Sequence, residues 1–385
     1  MKNSGKLLYS TGTLLMLMLF AFGNTTQSTL LNMFVTHYAI DAAQQSYISS
    51  VISAGMFSAL CLLLFGIIRL RRPLVLIAAA FLTAVFFFAI AFMPPFSFLL
   101  IFYFFICISY GFIDSAASSV TADLYTGKEA ARHMGLLHSF FGIGGVFGPL
   151  FIQQMLLHDY KWNEIIRIFA VFGFAVFLYS VVIYIKTKNE LSAVLGITPV
   201  ISLSGIRTFL TPRNTLFMAA VGFKGAQEVC LAFWLVRYIT VGLESPILGP
   251  LAISLMWLGS SASRIIIPRL PFEINKYIII SMFASAVMLT ASLIFPSAVF
   301  MCITAFIVGL TSGAVVPLGL SSLCARCPQN TLLASTCTLL CIYAGQALLP
   351  FTAGLFFGGR LYAGILMAVL CGLFGSVLAH ASERI

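Results

Sequence analysis

Twelve apolar runs, most of about 20 residues or more, follow one another along this chain with only short polar intervals between them. They fall near 9–36, 44–68, 73–93, 97–123, 133–157, 165–186, 214–240, 247–268, 275–295, 297–324, 331–356 and 360–381. A run of that length, wound as an α-helix, crosses the roughly 30 Å hydrocarbon core of a bilayer, since each residue advances the helix about 1.5 Å. The spacing therefore predicts an all-α integral membrane protein of twelve transmembrane helices. Charged residues make up 8% of the chain, against about 25% in a soluble domain. At about 30 to 35 residues per span with its loop, the 385 residues leave no sizeable extramembrane domain, so function is expected inside the helix bundle.

The formal net charge is +10, which taken alone would suit nucleic acid. The basic residues, however, lie between apolar runs and form no stripe on a soluble face, so no nucleic-acid partner is expected. With the N-terminus on the cytoplasmic side, sixteen Lys and Arg residues fall in the even-numbered loops and termini, among them Arg69, Arg71, Arg72, Lys128, Arg132 and Arg264. Lys161, Arg167, Arg237 and Arg360 fall in the odd-numbered loops. This bias predicts both termini in the cytoplasm, an even number of spans, and a multi-pass protein of an inner or plasma membrane. The first run is too long for a signal-peptide core and reads as the first span.

The longest polar interval, from about Lys186 to Arg213, reads as a cytoplasmic linker. It divides the chain into an N-terminal six-helix half at 1–187, a linker at 188–212 holding a short interfacial helix near Ile206–Leu210, and a C-terminal six-helix half at 213–385. A shift of 201 places Phe22 on Phe223, Gln27 on Glu228, Gly144 on Gly345 and Pro149 on Pro350, and a shift of 202 places Gly111 on Gly313. A nearly constant offset across three helix pairs is the trace that duplicated halves leave.

Chemistry is concentrated in few places. Of eleven acidic residues, nine, Asp123 among them, fall at helix ends or loops, where water solvates them. Asp114 in the fourth span and Glu228 in the seventh lie deep in their runs. A carboxylate there costs at least about 2.5 kcal/mol, so it persists only when paired, protonated or facing a polar cavity. Lys224 stands four residues before Glu228 and shares its helix face. The pair either neutralises itself structurally or binds: Glu228 to substrate hydroxyls or a proton, with Lys224 governing its ionisation. Asp114 has no charged partner on its own helix, which suits proton uptake and release; the bland alternative is a protonated carboxyl hydrogen-bonded to a neighbouring helix.

Uncharged polar residues extend the picture. Asn24 and Gln27 share a face of the first span, and Tyr343 and Gln346 one of the eleventh. Amides and phenols among aromatics suit a neutral, hydroxyl-rich ligand. Trp234 either stacks on a sugar ring or anchors its helix near the interface. His138 reads as a packed histidine more readily than a titrating one. The scattered cysteines read as small packing residues, and the Cys324–Cys327 pair has neither a second pair nor a nearby His, so no metal, cofactor or disulfide is expected. The glycines at 142, 144, 145 and 148 let helices approach and hinge.

At these residues the chain resembles the major facilitator superfamily, and within it the fucose-permease-like sugar porter branch, over nearly its whole length. Gly111-Phe112-Ile113-Asp114-Ser115-Ala116-Ala117-Ser118 is similar to that branch's fourth-helix motif of a glycine, a carboxylate three later and an asparagine four beyond. Leu136 to Gly142 resembles the fifth-helix motif, Glu228 with Trp234 and Tyr238 the seventh, Ser254 to Gly259 with Arg264 the eighth, and Gly345 to Pro350 the eleventh. Three positions differ: Gln27-Ser28 stand where the branch has a first-helix carboxylate beside an asparagine, Ser118 replaces the fourth-helix asparagine, and 66–72 lacks the superfamily's aspartate.

The resemblance implies two six-helix halves, alternating access and import of a sugar coupled to protons, with Asp114 as the fourth-helix proton-linked carboxylate. The expected activity is secondary active transport of a small neutral solute, a monosaccharide above all, by proton symport. Asn24, Gln27, Lys224, Glu228, Trp234, Tyr343 and Gln346 would hold the substrate, and Asp114 and Glu228 the proton. Expected partners are the solute, protons and the bilayer, with the chain a monomer. The rivals are a drug or metabolite exporter on the same fold and a transport-inactive sensor or scaffold. An enzyme would need a nucleophile with its base, or a motif such as HExxH, and the sequence has neither.

Overall fold

The computed structural model describes residues 3–40, 42–65, 71–194, 203–245, 247–356 and 360–385, and they are helical almost throughout. In chain order the helices are α1 (Asn3–Thr29), α2 (Leu31–Tyr38), α3 (Ala42–Leu64), α4 (Arg72–Ile90), α5 (Phe96–Leu124), α6 (Gly127–Leu157), α7 (Trp162–Val194) and α8 (Leu203–Phe209). They continue as α9 (Pro212–Arg237), α10 (Leu248–Ile266), α11 (Ile274–Ile294), α12 (Ala298–Ser312), α13 (Val315–Ala325), α14 (Thr331–Phe356) and α15 (Ala363–Arg384). Among the described residues eleven stretches are long and apolar enough to cross a membrane. The 23-residue α3, whose described apolar part is Ala54–Leu64, supplies the twelfth span.

Helix starts follow local chemistry. Pro212 opens α9 at a position where its missing N–H is not needed, and the Thr211 hydroxyl accepts from the Asn214 N–H at 3.2 Å. Two expected spans are broken. The first bends at Leu30, after the hydroxyl-rich stretch 24–29, where Thr26 Oγ1 turns back onto the Gly23 carbonyl at 2.6 Å. The tenth breaks at Gly313-Ala314, between α12 and α13. Pro317 sits in the first turn of α13 and has no N–H for the Gly313 carbonyl four residues earlier, so the ladder stops there. The linker also differs from expectation: α7 stays helical to Val194, and α8 starts at Leu203.

The chain separates into two compact units, Met1–Leu124 with Phe140–Ser202, and Tyr125–Ser139 with Leu203–Ile385. In both, serines, threonines and glycines face inward while large apolar side chains such as Phe98, Phe105, Phe283 and Val287 face out, the arrangement helices adopt when their surroundings are lipid.

Very close helix pairs recur at matching places in the two units. In the first, α3 meets α5: a side-chain carbon on Gly55 would lie 2.6 Å from the Phe104 carbonyl oxygen, and one on Gly111 would lie 2.7 Å from Ala59 Cβ. In the second, α10 meets α12: one on Gly259 would collide with the Phe306 carbonyl oxygen, and one on Gly313 would lie 2.6 Å from Ser260 Cα. Gly55 and Phe104 repeat as Gly259 and Phe306, and Gly111 as Gly313, so the duplication seen in the sequence recurs as the same backbone contact.

Candidate functional site

The centre of the second unit holds a cluster of charge that the apolar composition makes costly. On α9, Lys224 and Glu228 are one turn apart, and their side chains lie 3.4 Å from each other, Nζ to Oε1. The Lys224 ammonium also donates to Ser312 Oγ on α12 at 2.9 Å and to Gln227 Oε1 at 3.3 Å. Two hydrogen bonds and one ion pair thus hold the ammonium, and with 1% of the residue exposed Lys224 is a locked counter-ion. Gln227, fully buried, passes the lock on: its amide donates to Ser285 Oγ on α11 at 3.0 Å and to the Ala368 carbonyl on α15 at 3.1 Å. The buried ammonium is thus satisfied by hydrogen bonds, whereas Glu228 Oε1 is held by charge alone.

A second cation reaches the same carboxylate. Arg264 Nη2, from α10, lies 3.6 Å from Glu228 Oε1. Its Nε donates to the Gly313 carbonyl at 3.2 Å, the group that Pro317 leaves without a helical donor. Across the same break Ser263 Oγ accepts the Ala314 N–H at 3.1 Å, and Tyr277 on α11 donates its hydroxyl proton to the Thr311 carbonyl at 2.6 Å. Side chains of α10 and α11 thus satisfy the backbone that the α12–α13 break releases. Irregular backbone at membrane depth survives only when so satisfied, and broken helices with exposed backbone groups are where transporters build their sites.

This arrangement corrects the reading of three residues. Arg264 stands among the loop cations in the sequence, yet it lies inside α10 with 4% of its surface exposed and serves Glu228. Asp123 and Arg72, expected in solvent at helix ends, meet in the first unit as an ion pair at 2.5 Å, with Arg72 buried. The residues at the corresponding ends of the second unit, Asn275 and Arg326, also meet, Arg326 bonding Asn275 at 3.5 Å and Asn214 at 3.2 Å while lying over the Phe217 ring. Both pairs have one offset, 203 residues, so the duplicated halves keep a polar tie here and change its charges.

The other expected site residues are distributed as follows. Gln346 lies beside α9, its amide nitrogen 3.4 Å from where a side-chain carbon on Gly225 would be, one turn from Glu228. Tyr343 is buried on α14. Trp234 packs its ring directly over Gly364 of α15, which has no room for a side chain. Asp114 is buried in α5 of the first unit, with Tyr110 and Ser118, also buried, one turn to either side. Tyr110 stacks on Phe20 of α1, ring centres 4.7 Å apart. Asn24 is half-buried on α1, and the side chain of Gln27 lies outside the described ones. Gln227 and Ser312 had no standing in the sequence reading; the signal available was the three-residue step from Lys224 to Gln227, which puts both on one face.

Comparison with known proteins gives this broken-helix bundle its class. Residues 13–330 match the Major Facilitator Superfamily, so the chain belongs to that superfamily and is a multi-pass membrane transporter with its twelve-helix fold. It is similar to the Escherichia coli fucose:proton symporter FucP, with a TM-score of 0.73 and 16% identity, over 98% of this chain and 99% of the other. It is also similar to the proton:xylose symporter XylE, with a TM-score of 0.75 and 13% identity, over 100% and 96%. The human organic anion transporter MFSD10 aligns at a TM-score of 0.69 and 15% identity, over 97% and 99%. At such identities the likeness is one of fold. Among curated sequences, the "Protein TsgA homolog" of Buchnera aphidicola subsp. Baizongia pistaciae (strain Bp) is 23% identical over 152 residues, 36% of this chain. The chain thus spans about two fifths, 39%, of the curated relative it matches.

Proposed function

We propose that the chain is a proton-coupled symporter of a small neutral solute, a monosaccharide above all, in which Asp114 and Glu228 carry the coupling. The observation behind the reading is Glu228: a carboxylate in the middle of a membrane-spanning helix, shared by two buried cations 3.4 and 3.6 Å away. Such a group changes the electrostatics of its surroundings by a full unit each time it gains or loses a proton, which is what coupling requires. The likeness to two structures named as proton symporters of sugars supports the choice of solute. On this reading Gln346 and Glu228 offer the acceptors and donors that hydroxyls use, and Lys224 holds the carboxylate in place.

The same reading puts the chain in a cytoplasmic-type membrane as a monomer, with both termini inside. The halves at 1–187 and 213–385 rock about the linker at 188–212. A second reading, an organic anion as the solute, has one observation in its favour: within the second unit's cluster two cations face one carboxylate.

Uptake into proteoliposomes under an imposed pH gradient tests the proposal, after a thermal-stabilisation screen of monosaccharides, nucleosides, organic acids and amphipathic drugs has supplied a ligand. A monosaccharide is expected to stabilise the protein and to accumulate with the proton gradient. The Asp114→Asn, Glu228→Gln double variant is expected to exchange the solute without accumulating it. Gradient-driven accumulation by that variant would reject proton coupling through these acids, and stabilisation by organic acids alone would move the solute to the second reading.

A further inference from the structure

The stretch Tyr125–Ser139, which runs into α6, packs with the second unit, and it meets Arg264 there. A side-chain carbon on Gly135 would collide with the backbone carbonyl of Arg264 and lie 2.8 Å from Pro268 Cγ, so α6 and α10 touch backbone to backbone. One turn along, the Arg264 guanidinium donates from Nη1 to the His138 carbonyl at 2.8 Å. The guanidinium therefore has partners on three separate elements: it donates to His138 on α6 and to Gly313 at the α12–α13 break at 3.2 Å, and it pairs in charge with Glu228 on α9 at 3.6 Å. Two are neutral carbonyls whose strength is constant. The third is a carboxylate, which a proton neutralises.

We infer that Arg264 is a positioning residue that transmits the charge of Glu228 to the docking of Tyr125–Ser139 on α10. With Glu228 ionised, its charge holds the guanidinium inside the bundle, where it reaches the His138 carbonyl. With Glu228 protonated, Arg264 and Lys224 are two buried cations that have lost their shared counter-charge. The ammonium is fixed by Ser312 and Gln227, so the guanidinium is the one that moves toward water, and its bond to the His138 carbonyl is lost. The other titratable groups around these ions are Tyr277 on α11, Cys371 on α15 and the His138 ring itself, which stands in the docked stretch.

The inference rests on the coupling role proposed for Glu228, and its test reads distance instead of flux, so it stands or falls apart from the identity of the solute. The full chain is placed in lipid nanodiscs with spin labels on keto-bearing residues introduced at positions 132 and 270, both exposed. Pulsed EPR then gives the 132–270 distance distribution at neutral pH. The wild type is expected to hold one short population. Glu228→Gln, which removes the charge, should gain a population longer by several ångströms, and Glu228→Asp, which keeps it, should not. Arg264→Lys should show the long population whichever residue stands at 228. Identical distributions for wild type and Glu228→Gln would overturn the assignment. Should Glu228→Gln fail to fold, a wild-type distribution in Arg264→Lys overturns it equally.

Discussion

Arg264 and Pro317 act on the same atom from opposite directions: the proline, four residues on, withholds an N–H from the Gly313 carbonyl, and the arginine supplies one across 3.2 Å. The break in the tenth span and the cation that reads Glu228 are therefore one structure. Pro317→Ala restores an N–H that can close the ladder and compete with Arg264. We expect a thermal stability within about 1 kcal/mol of wild type. Turnover should fall about tenfold, equivalent to about 1.4 kcal/mol on the barrier. Initial rates set beside melting curves separate the two effects; a large loss of stability with normal turnover would contradict it.

The Lys224–Glu228 pair is buried on both sides, so removing one partner should be costly. Lys224→Met and Glu228→Gln are each expected to destabilise by about 3 to 5 kcal/mol. The double variant should cost less than the sum, by a coupling of about 1 to 3 kcal/mol. Unfolding of all four proteins in one detergent gives the cycle, and strict additivity would mean that the two groups do not interact.

The two ties at the helix ends should differ in strength. Asp123→Asn leaves a buried Arg72 without its anion and is expected to cost about 3 kcal/mol. Arg326→Gln gives up contacts to two neutral amides and a phenyl face, for about 1 kcal/mol. The ranking of their melting temperatures checks this, and an equal or reversed order would refute it.

At the α10–α12 crossing, a side-chain carbon on Gly309 would collide with the Met256 carbonyl oxygen and lie 2.9 Å from the Ser260 N–H, whereas one on Gly145 meets nothing within 4 Å. Gly309→Ala should destabilise by about 1 to 3 kcal/mol. Gly145→Ala should be neutral or slightly stabilising, since alanine is the better helix former. Folded yield and melting temperature on the same preparations decide it.

The spans were legible because lipid demands about 20 apolar residues in a row and the chain supplies them with clear gaps. Glu228 and Lys224 were legible for the converse reason, as charges inside such a run. Arg264 escaped because it stands near the end of its run, where position alone matches a loop cation. The clue was local: Ser260, Ser261 and Ser263 precede it and three isoleucines follow, so small polar residues lead into it and apolar ones close behind. Arg72 and Asp123 escaped for the same reason, since their distance apart in sequence conceals that α4 begins where α5 ends. The break at Gly313 needs both Pro317 and the donors of α10, and only the proline lies on the same stretch of chain.

The division of α6 between two units bears on how the molecule is made. A ribosome delivers the chain N-terminus first, at about 5 to 20 residues per second. Residues 125–139 are therefore synthesised before any of the helices from Leu203 onward, with which they pack. The bare backbone at Gly135 must wait in the nascent protein for a surface that does not yet exist. Order of synthesis is thus not order of completion: part of the late unit is made early, and the first half of α6 is packed only when the helices from Leu203 onward have followed.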